Sequence, residues 1–363
     1  MPKQKQPKAL DHSMLDLYAD YLISSFSFTT ATGMSSALGG AISHDAITRF
    51  LSAREYTNKD LWKLVKPVVR EIETDDGMVI LDDTIEEKQY TDENDIVAWH
   101  YDHVFNRNVK GINILNCVYA SERGTAPVGC TIVKKDLLFT DPETEKLKRK
   151  SSVTKNEQAR DLIGAALQNQ IKFRYCLADS WFASQENMEF VVKKGKHFIF
   201  ALKSNRLFAS SMEDKLNGVF QTVKDLKWEE CQVLTGYLKG MDMPVQLIRQ
   251  IFTNEDNSTG ILYLVTSDLT LGYTDITTIY QKRWKVEEYH KSIKSNLGLA
   301  KSPTKTVTTQ MNHFFVASYA YVKLEQLARG INLNQFALKT KLYVKALQGS
   351  MAELERLREG VAA

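Results

Sequence analysis

The chain has 363 residues, 43% of them hydrophobic and 25% charged, with a formal net charge of +3. That is enough for two domains, or one large domain with additions, around a sizeable core. The composition argues against a membrane span, since no apolar run approaches ~18 residues. It also argues against a disulfide or zinc-knuckle scaffold, since Cys117, Cys130, Cys176 and Cys231 lie far apart with no Cys-x-x-Cys pair. The basic N-terminus, MPKQKQPKALDHS, lacks the apolar segment of a secretory signal, so a reduced, cytoplasmic protein is expected.

Residues 1–72 read as all-helical. Leu15, Tyr18 and Leu22 mark a helix across 10–25. In TTATGMSSALGGAISHDAITRFLSARE a small-residue helix ends at Leu38, and Gly39 and Gly40 supply a turn. Ser43 then caps a second helix, His44 to Ser52. This pattern suits a helix-turn-helix in which His44, Asp45, Thr48 and Arg49 face the major groove while Ile47 and Leu51 pack inward. It suits equally a helical hairpin that only packs against its neighbours.

Beyond Asp76 and Gly77 the texture changes. MVILDDT (78–84) is a short apolar strand ending in carboxylates, and 109–121 and 128–139 read as two more strands. Residues 141–158 read as a charged loop entering a helix at 158–170. RYCLADSWF (174–182) is a strand running into an acid, and 197–204 is another strand. Strands, a helix and more strands predict a mixed α/β layer. Residues 205–257 read as a small β-rich insertion, after which GILYLVTSD (260–268) returns to the main sheet. Residues 306–363 read as helical and amphipathic, with Phe314, Phe315, Ala317, Tyr319, Leu324 and Leu327 on the apolar side. No solenoid repeat is present.

The segment YQKRWKVEEYHKSIK (280–294), read as one α-helix, places Tyr280, Arg283, Glu287, Lys291 and Lys294 on one face. A single carboxylate among three cations and a phenol suits an ion-binding acid flanked by groups that hold phosphates. Residues 280–310 carry seven Lys/Arg and two acids, a local net of +5, the footprint expected for phosphate contact. Two strands also finish in acids, at Asp82 and Asp83 and at Asp179, where ligands bind in open α/β sheets. Two aspartates and a glutamate could hold two divalent ions about 3.5–4 Å apart, and carboxylate ligands suit Mg²⁺ or Mn²⁺. Each acid also has a plain reading: strand-end aspartates are common turn residues, and Glu287 could pair with Lys291.

On these residues the chain resembles bacterial insertion-sequence transposases of the DDE type, in the group named after insertion sequence four. That group's signature (Tyr, two residues, Arg, three, Glu, three, Lys, two, Lys) is met by Tyr280, Arg283, Glu287, Lys291 and Lys294. Its first aspartate precedes a threonine, as Asp83 precedes Thr84, and its second ends a strand, as does Asp179. Strand alternation lets only one of Asp82 and Asp83 face the ions; the resemblance selects Asp83.

The resemblance covers about residues 80–300. It implies an α/β fold with a ribonuclease-H-like catalytic core (73–204 plus 258–305), interrupted by the β-rich insertion (205–257). An all-helical DNA-binding domain (1–72) would precede the core, and C-terminal helices (306–363) able to mediate dimerisation would follow. It implies a cut-and-paste DNA transposase in which Asp83, Asp179 and Glu287 bind two Mg²⁺ or Mn²⁺ ions. Arg283, Lys291 and Lys294 would clamp phosphates, and Tyr280 would donate to the DNA backbone. Cleavage through a DNA hairpin calls for stacking aromatics: Trp284 either stacks on a flipped base or packs in the core, Trp228 and Tyr237 both remain available, and Trp181 reads as packing. The partners implied are the element's terminal inverted repeats, target DNA and a second copy of the chain. No membrane is implied, and the protein would join the nucleoid when bound. Two rival readings are a catalytically silent DNA-binding descendant and a metal-dependent nuclease without strand transfer.

Overall fold

The structure, a computed structural model, describes residues 10–102, 106–143, 145–254 and 256–362; the basic stretch 1–9 lies outside the described residues. Four helices come first: α1 (His12–Ser24), α2 (Ala31–Ala37), α3 (His44–Ser52) and α4 (Asn58–Ile72). Strands β1 (Met78–Glu87), β2 (Val97–Asp102), β3 (Arg107–Ser121) and β4 (Gly124–Ile132) follow, then β5 (Leu137–Thr140) and β6 (Leu147–Lys150). Next are α5 (Lys155–Gln168), β7 (Tyr175–Ala178), α6 (Gln185–Lys193) and β8 (His197–Leu202). Strand β9 (Leu207–Ala209), α7 (Met212–Leu216), β10 (Gln221–Thr222), β11 (Val233–Leu238), β12 (Val245–Thr253) and β13 (Thr259–Thr266) lead to α8 (Tyr273–Gln281) and α9 (Trp284–Ser295). Helices α10 (Val307–Gly330) and α11 (Gln335–Ala362) come last.

Several local readings change. Strand β1 does not end at its carboxylates but runs on to Glu87, so Asp82 and Asp83 lie inside it. The strand expected at 128–139 is divided between β4 and β5. Residues expected as loop at 141–158 include β6, which pairs antiparallel with β5 from Leu137↔Lys150 to Thr140↔Leu147. Helix α5 starts three residues earlier than its apolar pattern suggests, because Thr154 and Glu157 form a capping box. The Glu157 carboxylate accepts from the Thr154 N–H at 2.7 Å, and the Thr154 hydroxyl accepts from the Glu157 N–H at 3.2 Å.

The chain divides into two compact units: Met1–Val68, Glu86–Gly111 and Glu288–Ala363 form the first, and Val69–Ile85 and Ile112–Glu287 the second. The second unit is mixed α/β. Its strands run in the order β10-β9-β11-β12-β13-β8-β7-β1-β3, with β4 also paired to β3. Strands β1, β7 and β8 are parallel neighbours; β8, β13, β12, β11, β9 and β10 pair antiparallel in succession. Residues 205–257 therefore contribute strands that continue the same sheet. The apolar run Met78–Leu81 is buried and β7 is buried throughout, as expected of central parallel strands.

In the first unit α10 is buried almost all round, through Phe314, Phe315, Val316, Ala317, Ala320 and Tyr321, rather than amphipathic; Leu327 is exposed. Asn312, fully buried on α10, terminates α3: its Nδ2 donates to the carbonyls of Leu51 at 2.7 Å and Arg54 at 2.5 Å, and its Oδ1 accepts from Tyr56 N–H at 2.9 Å. The neighbouring His313 ring lies 3.0 Å from the Tyr18 hydroxyl and 3.2 Å from the Gly298 carbonyl, and burial pushes its pKa down to about 4.

A neutral buried histidine contributes stability that is complete above its unfolded pKa, near 6.5, and is lost as pH falls toward about 4. Thermal melts between pH 7 and 4 are expected to show that loss, and His313→Gln is expected to flatten it. Asn312→Leu strands three backbone groups and is expected to destabilise the protein by about 2–4 kcal/mol in denaturant unfolding.

Candidate active site

The parallel pairing of β1 with β7 brings acids of the two strands together. Leu81 lies opposite Ala178, so the next residues, Asp82 within β1 and Asp179 just past the end of β7, come side by side. Asp179 is tied back by its own loop: its Oδ1 accepts from the Trp181 N–H at 2.9 Å. Burial pushes the Asp82 carboxyl up to about 7, against the pull of Arg283 and with added repulsion from Asp179 and Asp83. Asp179 is also raised, by burial first and by the charge of Asp83. Burial thus disfavours the ionised form of both acids, and their mutual repulsion adds to it.

Arg283 joins Glu287 to this group. Its Nη2 donates to Glu287 Oε1 at 2.5 Å, and its Nη1 lies 3.5 Å from Asp82 Oδ2. The segment 280–294 is not one continuous helix. Helix α8 ends at Gln281 and α9 begins at Trp284, through tight turns in which the N–H groups of Arg283 and Val286 bond to the carbonyls of Tyr280 and Arg283, three residues back. Tyr280 nevertheless stays beside Arg283, whose guanidinium carbon lies 5.8 Å from its ring centre. Tyr280 is buried and its hydroxyl donates to the Ala178 carbonyl at 3.4 Å, which props the loop toward Asp179 instead of presenting a donor to DNA.

Asp83, next along β1, has different partners. Its Oδ2 accepts from Asn113 Nδ2 at 2.6 Å, and both oxygens accept from Lys155 Nζ, at 3.0 and 3.1 Å. Neither Lys155 nor Asn113 stands out in the sequence reading. One signal for Lys155 was available: the capping box places a cation in the first turn of α5, where the helix dipole favours an anion.

The remaining residues divide between the two units. In the second, Trp284 is 61% exposed, which removes the core-packing alternative. Trp181 is 47% exposed, with the ammonium groups of Lys155 and Lys203 4.7 and 5.6 Å from its ring centre, so it is not the packing residue expected. Trp228 donates to the Val223 carbonyl at 3.0 Å and lies against Tyr263, while Tyr237 carries Lys215 over its ring. In the first unit, Lys291 is exposed above Phe336, and half-buried Lys294 feels the charges of Glu86, Asp102 and Glu87. Glu287 pairs with Arg283 rather than with Lys291. On α3, His44, Asp45, Thr48 and Arg49 are exposed while Ile47, Phe50 and Leu51 are buried. Gly39 and Gly40 hold the preceding turn at φ of 61° and 78°, a region that favours glycine.

Among the described residues, no three His, Cys, Asp or Glu side chains form a preformed ion cage; the acids here are held by Arg283 and Lys155. The donor set still fits a hard divalent ion: every candidate ligand is oxygen, and Asn113 Oδ1, on the side chain that bonds Asp83, is buried without a hydrogen-bond partner.

Two family descriptions match this chain: "DDE superfamily endonuclease" over residues 7–215 and "Transposase DDE domain" over residues 138–323. Each spans more than half of the sequence, and the chain belongs to the DDE superfamily of endonucleases and transposases. That class is nuclease-type and generally uses divalent metal ions. No curated protein matches the chain. No helix among the described residues is long and apolar enough to cross a membrane.

Arg283 pairs with shielded Asp82 and with partly exposed Glu287, so Arg283→Met is expected to destabilise the metal-free protein by about 1.5–3 kcal/mol. Denaturant unfolding of the two proteins checks this. A change within 0.5 kcal/mol, the range of ordinary surface substitutions, would remove Arg283 from its linking role.

Proposed function

We propose that this protein is a cut-and-paste DNA transposase of the insertion-sequence-four type, with a ribonuclease-H-like core. The observation that carries the reading is the meeting of Asp82 and Asp83, on β1, with Asp179, just past the end of neighbouring β7, and the link from Asp82 to Glu287 through Arg283. Asp83, Asp179 and Glu287 would hold two Mg²⁺ or Mn²⁺ ions, and Asp82 keeps Arg283 beside Glu287. Ions bound there supply Lewis acidity and lower the pKa of an attacking water. The protein's own task is to orient the scissile phosphate and to balance the charge that develops on it.

The exposure of Lys291 supports a phosphate contact; Arg283 takes part by loosening its hold on Asp82 and Glu287, and Lys294 by turning from Glu86 and its neighbours. Trp284, with most of its ring open, supports stacking by a base swung out as the DNA hairpin forms. The outward His44, Thr48 and Arg49 support reading of the terminal inverted repeats by α3. Helix α11 exposes Val344, Leu347, Met351, Leu354 and Leu357 at steps of three and four residues, the pattern of a helix face that pairs with a second copy. The protein therefore acts on DNA as a homodimer, cleaves both element ends and joins their 3′-hydroxyls to target DNA. It works in the cytoplasm, at the nucleoid.

Asp179→Asn and Glu287→Gln are each expected to abolish Mg²⁺-dependent nicking and hairpin formation on a duplex carrying the element's end, while binding persists. Retained cleavage in either variant would refute the site. Nicks without a hairpin on a denaturing gel would leave a nuclease without strand transfer. Lys291→Ala is expected to flatten the salt dependence of DNA binding by about 0.9 of slope, and an unchanged slope would return Lys291 to surface charge.

A further inference from the structure

We propose that Lys155 is a built-in counter-ion that occupies the divalent-ion position at Asp83 and yields it when the ion arrives; this rests on the ion-site reading above. The geometry is specific. The ammonium bridges both oxygens of Asp83 at 3.0 and 3.1 Å, as a metal ion would engage a carboxylate, and the pair is largely shielded, with side-chain exposures of 22% and 17%. The Asn113 amide on the same carboxylate leaves its oxygen buried and unsatisfied. That oxygen is suitably polar for an ion or its bound water.

Lys155 has a reason to leave as well as a reason to stay. It is the first residue of α5, at the positive end of the helix dipole, so its ammonium is stabilised there by Asp83 and not by its own helix. A divalent ion on Asp83 carries twice the charge and would repel the ammonium. The Trp181 ring lies 4.7 Å from Nζ and remains a contact for the ammonium once Asp83 is taken by an ion. Lys155 thus keeps the acid cluster from flying apart in the metal-free protein and weakens ion binding in proportion. It is a positioning residue, acting through Asp83.

The test is Mn²⁺ titration of the full chain without DNA, followed by calorimetry and by the Mn²⁺-induced rise in melting temperature. Lys155→Met is expected to bind Mn²⁺ about ten-fold more tightly than the parent, equivalent to removing one partly screened ion pair. The metal-free variant should melt lower and gain more from the ion. Lys155→Arg should behave as the parent, and Lys155→Gln reads the same expectation as Lys155→Met if the methionine variant does not fold. On an Asp83→Asn background, removing Lys155 should no longer matter. Equal or weaker Mn²⁺ binding by Lys155→Met, or the same gain with Asp83 already neutral, would overturn the role given to Lys155. Absence of Mn²⁺ binding by every variant would overturn the ion-site reading itself.

Discussion

The guanidinium of Arg283, held between Asp82 and Glu287, is the contact on which the site depends. Asp82 and Asp83 on β1 and Asp179 after β7 lie within reach of one another's charge, and Glu287 at the start of α9 joins them through Arg283. Burying them unpaired would be prohibitive. Arg283 resolves part of that conflict and does so geometrically: its planar fork spans two acids distant in sequence, a task a lysine's point charge performs poorly. The turn between α8 and α9 belongs to the same solution. Ending α8 at Gln281 lets Tyr280 lock onto the Ala178 carbonyl, while Arg283 turns to face Asp82.

Adjacent aspartates on one strand take different partners, and alternation explains why. Asp82 engages Arg283; Asp83 engages Lys155 and Asn113. The cluster is therefore balanced by two protein cations of different character, one rigid and forked, the other single and flexible. Burial first, and the neighbouring acids second, raise the pKa values of Asp82 and Asp179, a setting in which added positive charge would favour their ionised forms.

The first unit rests on a different economy. Helix α10 carries the buried polar pair Asn312 and His313, each fully engaged with backbone or hydroxyl groups of the N-terminal helices and of residue 298. Satisfied buried polar groups of this kind specify one arrangement of helices where apolar contact alone would tolerate several. The same packing leaves one face of α3 and the distal face of α11 open to partners.

Local chemistry alone determined a good deal. The Ser43 cap, the Gly39–Gly40 turn, the apolar runs of β1, β7, β8 and β13, and the acids that follow the runs of β1 and β7 were all legible, because each is set by neighbours within a few residues; that β1 continues past its acids to Glu87 was not. Membership in the DDE superfamily followed the same residues. What only the tertiary structure decided was who meets whom. Lys155 and Asn113 reach Asp83 from elements far along the chain, and no periodicity encodes that. The break after Gln281 overrode a perfect helical spacing because the tertiary partners of Tyr280 and Arg283, the Ala178 carbonyl and the Asp82 carboxylate, lie in directions a single helix would not face. Side-chain type is written locally, whereas electrostatic partnership depends on strand register and helix placement, which the chain settles only when the sheet has formed.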